Sequence, residues 1–163
     1  MRIHGTSGTT GDPTLFCISE DDWERIAEAH ARILWAAGLR PDDTVIVTSV
    51  FSAYLGSWGA LLGAERLGAK CFRFGAGAPE QTERAVDWIG LVKPTALYGT
   101  PSYALYLAAT ARRMGIDPRN DFNFRLMFFS GEPGASIPST RREIEETYGC
   151  YVVDQGSMAE MTP

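Results

Sequence analysis

A run of β-branched residues without polar alternation, TVIVT at residues 44–48, constrains this chain more than any other feature. A strand with one wet face alternates polar and apolar side chains, so an unbroken run demands cover on both faces. Short apolar runs recur at 69–74, 95–98, 125–129 and 151–153. Helix-length segments separate them at 56–67, 80–91, 100–114 and 137–148, punctuated by Pro79, Thr100-Pro101, Gly115 and Gly149. Repeated strand–helix units of this size predict an α/β fold, a mostly parallel sheet flanked by helices on both faces.

Residues 19–37 form the clearest helix. Trp23, Ile26, Ala27, His30, Ile33, Leu34 and Ala37 recur at three- and four-residue steps and make one apolar stripe. Ser19 is a natural N-cap, Glu20, Asp21 and Asp22 suit the positive end of the helix dipole, and Gly38 with Pro41 closes the segment. His30 lies on the apolar stripe and is expected to be a packed core histidine. Gly56, Gly59 and Gly63 bare one face of the next helix, which suits close approach of either another backbone or a ligand. On the last helix, Arg141, Arg142, Glu145 and Glu146 are spaced as two i,i+4 ion pairs on a solvated face.

The net charge of −5 opposes binding to nucleic acid or to an anionic membrane. The uncharged stretch 44–64 is long enough to cross a bilayer, but Thr, Ser and Gly dilute it and acidic residues flank it, so a buried strand and helix are expected instead. Cys17, Cys71 and Cys150 form no CxxC; their odd number fits a reducing, cytoplasmic setting.

Residues 5–14, GTSGTTGDPT, concentrate glycines and hydroxyls near the start of the chain. Glycines let backbone N–H groups converge on an anion, and Ser and Thr add donors. A flexible surface loop has the same composition. The G-x-x-x-x-G-K-[ST] and G-x-G-x-x-G patterns are both absent, and the only lysines, Lys70 and Lys93, are distant in sequence.

The segment TSGTTGDPT resembles the phosphate-binding loop of AMP-forming adenylating enzymes. GAERLGA (63–69), TPSYALYLA (100–108), GIDPRND (115–121) and SGEPGASIPSTRREIEETYG (130–149) resemble successive segments of its phenylacetate–CoA ligase branch, in order and through essentially the whole chain. The resemblance implies ATP, Mg²⁺ and coenzyme A as cofactors and a carboxylic acid as substrate. It assigns β- and γ-phosphate binding to Thr6, Ser7, Gly8, Thr9, Thr10 and Gly11, with Thr9 also catalytic. Gly131, Glu132 and Pro133 correspond to the adenine-pocket segment. DQGSMAE (154–160) corresponds to the family's Asp-x-Tyr-Gly-Leu-Ser-Glu, which adds Asp154, Gln155 and Gly156 to the nucleotide site and makes Glu160 the catalytic Mg²⁺ ligand. Gly156 and Ala159 depart from the family's aromatic and hydroxyl residues. Phe51 and Tyr54 match the aryl pocket, although core packing explains them nearly as well. His4 precedes the loop as a histidine often does in this branch, in a substrate-side or a structural role.

The implied reaction activates an aryl, phenylacetate-like carboxylate with ATP as an acyl-adenylate and passes it to coenzyme A. Alternatives are a synthetase that adenylates a deazaflavin cofactor, and a non-catalytic nucleotide-binding remnant. The resemblance places residues 1–163 within the large N-terminal domain, without the C-terminal lid that carries the adenylation lysine. The expectation is therefore a fragment, inactive alone, of an enzyme whose full-length form allows a homodimer.

Overall fold

The structure is a computed structural model and describes residues 1–6, 8, 11–75 and 79–156. Five short strands form a parallel sheet: β3 (Thr44–Val47), β4 (Lys70–Arg73), β5 (Ala96–Gly99), β6 (Leu126–Phe129) and β7 (Tyr151–Asp154), in the order β4-β3-β5-β6-β7. The helices are α1 (Glu20–Ala36), α2 (Gly56–Arg66), α3 (Pro79–Val92), α4 (Pro101–Arg113), α5 (Pro118–Asp121) and α6 (Pro138–Tyr148). A 3₁₀ turn at Pro133–Ser136 precedes α6.

The unbroken strand runs divide by parity between two cores. Val45, Val47, Ala96, Tyr98, Leu126 and Phe128 face one side with Leu34, Ala60 and Ala64 of α1 and α2. Ile46, Leu97, Met127, Phe129 and Val152 face the other, with side chains of α3, α4 and α6. This is the cover on both faces that TVIVT requires. The stretch 44–64 is accordingly a strand and a separate helix, and among the described residues no helix is long and apolar enough to cross a membrane.

The sequence-predicted elements match these within one or two residues, with Ser19 forming a reciprocal capping box with Asp22. His30 is buried, its Nδ1 lies 3.0 Å from the Ile26 carbonyl, and burial lowers its pKa. The bared face of α2 receives α1: a side chain on Gly59 would strike the His30 ring, and a Cβ on Gly63 would lie 2.7 Å from the Ala31 nitrogen. At these two positions the glycines serve helix packing. The expected i,i+4 pairs of α6 are not among the ion pairs of the described residues. Arg141 instead donates to the Ala135 carbonyl, and Glu145 accepts from the Val152 N–H.

Three elements escaped the sequence reading, the short helix α5 and two strands. β1 (Arg2–Gly5) and β2 (Leu15–Ile18) form an antiparallel hairpin around the glycine-rich loop. Its alternation is inverted: His4 is buried, whereas Ile3 and Leu15 are about 70% exposed. A pattern search for apolar-in, polar-out therefore misses it.

At the amino ends of the central strands, Asp43 gathers donors from three places. Its carboxylate accepts from the Arg125 guanidinium, from Thr95 Oγ1 at 2.7 Å and from the Arg40 N–H at 2.7 Å, while Thr95 Oγ1 accepts from the Thr44 N–H. Burial alone would push this carboxyl up; the bonds from Arg125, Thr95 and Arg40 together outweigh it and hold the pKa below its usual value.

Because the Asp43 pKa is lower folded than unfolded, its contribution is complete above the unfolded value of about 3.9 and disappears as pH falls through the folded one. Asp43→Ala should cost about 3 kcal/mol near neutrality by urea denaturation, and should flatten the acid limb of the stability profile. Gly63→Ala should destabilise by about 1–2 kcal/mol, since overpacking against fixed backbone exceeds the gain in helix propensity. Gly90→Ala in α3, where a Cβ meets nothing within 4 Å, should stabilise by about 0.5–1 kcal/mol.

Candidate functional site

In an open parallel sheet, ligands bind beyond the carboxyl ends of the strands where the chain reverses its direction of travel across the sheet. Here that point lies between β3 and β5. From β3 the chain moves outward to β4 through α2, then returns past β3 to β5 through α3. The backbones crowd at this junction: the Thr48 N–H and Oγ1 both donate to the Tyr98 carbonyl, and a side chain on Gly99 would collide with Thr48 Oγ1.

The hairpin brings the glycine-rich loop to the same edge. The Ala53 carbonyl, in the connection from β3 to α2, accepts from the Gly5 N–H at 3.0 Å and lies 2.8 Å from His4 Nδ1. His4 is buried against Trp23 and Phe16, with ring centroids 5.7 and 6.4 Å away. Its visible bond thus ties hairpin to connection. The loop neck is closed by Thr6: its N–H donates to the Thr14 carbonyl, and its Oγ1 accepts from the Thr14 N–H. Gly8 has φ +67°, a backbone region that favours glycine, and a Cβ there would meet the Pro13 ring at 2.8 Å. Among the described residues, a Cβ on Gly11 would meet nothing within 4 Å. Ser7, Thr9, Thr10 and Glu160 lie outside the described residues.

Beyond β6, Gly131 has φ +91° and leads to Glu132, whose Oε1 accepts from the Ser102 N–H at 2.6 Å. Glu132 thus supplies an acceptor at the amino end of α4 and positions the turn that begins at Pro133. A Cβ on Gly134 would press against Pro101 at 2.8 Å, so this turn sits tightly on α4. Asp154 ends β7 opposite Phe129, and the Gln155 N–H continues the ladder to the Phe129 carbonyl. Gly156 is exposed, and among the described residues nothing lies within 4 Å of a Cβ placed on it. Among the described residues, glycine at this position leaves open space.

The other side of the edge is lined by hydroxyls. Ser57 Oγ donates to the Val50 carbonyl, which commits its single proton, so Ser49 Oγ at 2.7 Å and Tyr54 Oη at 2.9 Å donate to it. Tyr54 is 38% exposed, while Phe51 packs edge-on against Trp58 at 5.0 Å. Tyr98 is buried beside them, and burial raises its phenol to about 12, an effect the adjacent Ser130 side chain opposes in part. It stays protonated throughout the physiological range. Gly56 leaves room for both phenols: a Cβ there would lie 2.9 Å from the Tyr54 ring and 3.5 Å from Tyr98 Oη. Sequence reasoning singled out Tyr54 but not Ser49, Ser57, Tyr98 or Ser130. Their shared signal is a hydroxyl placed at or just after the end of an apolar strand run. Lys70 and Lys93 stand at the opposite, amino-terminal side of the sheet.

The family model described as AMP-binding enzyme matches residues 3–163. The chain is 38% identical over 161 residues to phenylacetate-coenzyme A ligase of Pseudomonas putida, covering 99% of this chain and 35% of that protein. Two crystal structures of 2-hydroxyisobutyryl-CoA ligase in complex with 2-HIB-AMP and CoA, one an open conformation and one in the thioesterification state, superpose with a TM-score of 0.94 each. They are 57% and 60% identical and cover 100% of this chain, but 37% and 34% of theirs. The chain thus spans about a third of the length of the relatives it matches.

Restoring an aromatic at the open position tests the geometry: Gly156→Tyr should change stability by less than about 0.5 kcal/mol in thermal denaturation. Gly131→Ala, which forces a side chain into the left-handed region, should cost about 1 kcal/mol or more.

Proposed function

The chain belongs to the AMP-binding enzyme family, and from that premise we propose that it forms the nucleotide- and acid-binding part of an AMP-forming acid–CoA ligase. The observation that carries this reading is convergence. The neck of the glycine-rich loop, the turn after Gly131 and the segment 154–156 meet at one carboxyl edge of one sheet, flanking its topological switch point.

In this reading the loop from Thr6 to Gly11 donates to the outer phosphates of ATP. Gly131, Glu132, Pro133, Asp154 and Gly156 border the adenine. The acid lies against Tyr54 and Tyr98, with Phe51 fixing the wall behind them. A carboxylate oxygen attacks the α-phosphorus and pyrophosphate leaves; the coenzyme A thiolate then attacks the acyl carbon and AMP leaves. Both steps gain from positioning and from donors preset for phosphate charge, and neither needs a protein nucleophile. Magnesium typically takes one or two carboxylates with substrate phosphates, a role that Glu160 suits; when bound it neutralises phosphate charge. Among the described residues no cluster of three metal-ligating side chains competes for it.

The curated relatives suggest an aryl acid of the phenylacetate kind. The more similar solved structures suggest a short 2-hydroxy acid, and the hydroxyl-lined wall favours that second reading.

ATP with Mg²⁺ should raise the melting temperature of the chain, with about 2.7 kcal/mol of stabilisation at a hundredfold excess over Kd. No shift at millimolar nucleotide would count against the reading. In a protein that carries this chain within a complete ligase, acid-dependent pyrophosphate exchange and coenzyme A consumption are both expected. Exchange without coenzyme A consumption would point to an adenylating synthetase instead.

A further inference from the structure

Resting on the ligase reading, we propose that Glu132 is a positioning residue for the nucleotide: its carboxylate holds the turn after β6 on the amino end of α4, and the adenine lies against that turn without touching the carboxylate. The first turn of a helix presents backbone N–H groups that have no partner inside the helix. In α4, Pro101 has no N–H, the Tyr103 N–H reaches Thr100 Oγ1 at 3.4 Å, and the Ala104 N–H reaches the Thr100 carbonyl at 3.1 Å. That leaves the Ser102 N–H, which Glu132 Oε1 accepts at 2.6 Å. A helix amino end at this edge of a sheet is a ready site for a phosphate. Here an anion of the chain itself takes the place.

The bond is also the last link between two neighbouring strands. Gly99 stands opposite Phe129, and the Ser130 N–H donates to the Gly99 carbonyl at 3.2 Å. Beyond that rung β5 leads into a helix and β6 into a turn, so the two backbones part. Glu132 joins them again across 30 residues of chain. Its own backbone is extended, with φ −153° and ψ 153°, the conformation a residue before proline prefers. Three further contacts hold the turn that follows. A Cβ on Gly134 would lie 2.8 Å from the Pro101 Cβ, Arg141 Nε donates to the Ala135 carbonyl at 2.9 Å, and Ser136 Oγ donates to the Pro133 carbonyl at 2.9 Å.

The surface left for the base is backbone. Gly131 is exposed with φ +91°, and among the described residues a Cβ on it would meet nothing within 4 Å. A flat ring can therefore approach the main chain there. An unpaired carboxylate beside the base would repel the phosphates the base carries. One that bonds a backbone N–H at a helix amino end is partly neutralised by the helix dipole. Adenine affinity thus depends on Glu132 through the place of the turn. The glycine-rich loop hangs from Ala53 by the hairpin bonds and is independent of it.

The test uses the full chain, Mg²⁺ and three probes: ATP, purine riboside triphosphate, which lacks the 6-amino group, and tripolyphosphate, which lacks the base. In titration calorimetry Glu132→Ala should raise the Kd of both nucleotides by the same factor, about tenfold or more, and leave tripolyphosphate within about threefold. Glu132→Gln, which keeps an acceptor for the Ser102 N–H, should stay within about threefold of the unsubstituted chain for all three probes. A loss confined to ATP would mean that the carboxylate bonds the 6-amino group, and would overturn the positioning role. So would unchanged nucleotide affinity in folded Glu132→Ala, an equal loss of tripolyphosphate, or a Gln variant as weak as the Ala variant. Amide exchange on the unsubstituted chain needs no variant: the Ser102 N–H should exchange about tenfold or more slower than an unprotected amide, and free exchange would overturn the proposal. Binding of neither ATP nor tripolyphosphate by the unsubstituted chain would overturn the ligase reading, and this proposal with it.

Discussion

The architecture hangs on a buried carboxylate at the amino ends of three adjacent strands. Asp43 draws together Arg40 before β3, Thr95 before β5 and Arg125 before β6, and Thr95 in turn receives the Thr44 N–H. Parallel strands lack the tight hairpin that sets register in antiparallel pairs, so register must come from side chains and packing. This cluster supplies it. With the starts of β3, β5 and β6 aligned, four-residue strands bring Thr48, Gly99 and Phe129 to one row at the other edge, with Ser130 one residue beyond. A one-residue slip would turn Tyr98 and Ser130 to the opposite face and dismantle the hydroxyl wall.

The second constraint is the close approach of α1 to α2. Gly59 and Gly63 let the His30 ring and the Ala31 backbone sit directly on α2, which holds Gly56 and Ser57 near Tyr54 and Tyr98. The hairpin then docks on the same assembly through Ala53. The glycine-rich loop therefore owes its position to helix packing and to a backbone carbonyl, neither of which belongs to the loop itself. His4 contributes through its bond and its stacking on Trp23.

Much of the fold was legible because its signals are local. Ser19, Thr100 with Pro101, Gly115 and Gly149 mark helix ends by capping chemistry that depends on few neighbours. The hairpin was not legible, because its buried member is a histidine and its exposed members are Ile3 and Leu15. The surface pairs expected on α6 failed for a related reason. Arg141 and Glu145 found backbone partners at Ala135 and Val152, which spacing along one helix cannot reveal.

The sequence by itself determined the α/β class, the two-sided burial of TVIVT and the order of the segments that resemble adenylating enzymes. These depend on periodicity, capping and motif, all readable along one dimension. Only the tertiary structure decided that Gly59 and Gly63 serve packing, that Glu132 supplies an acceptor at the start of α4, and that Val152 faces one core and Val153 the other. The reason is physical: pleat parity assigns a face to each residue only after strand register is set, and register here is set by Asp43, far along the chain from the residues it aligns.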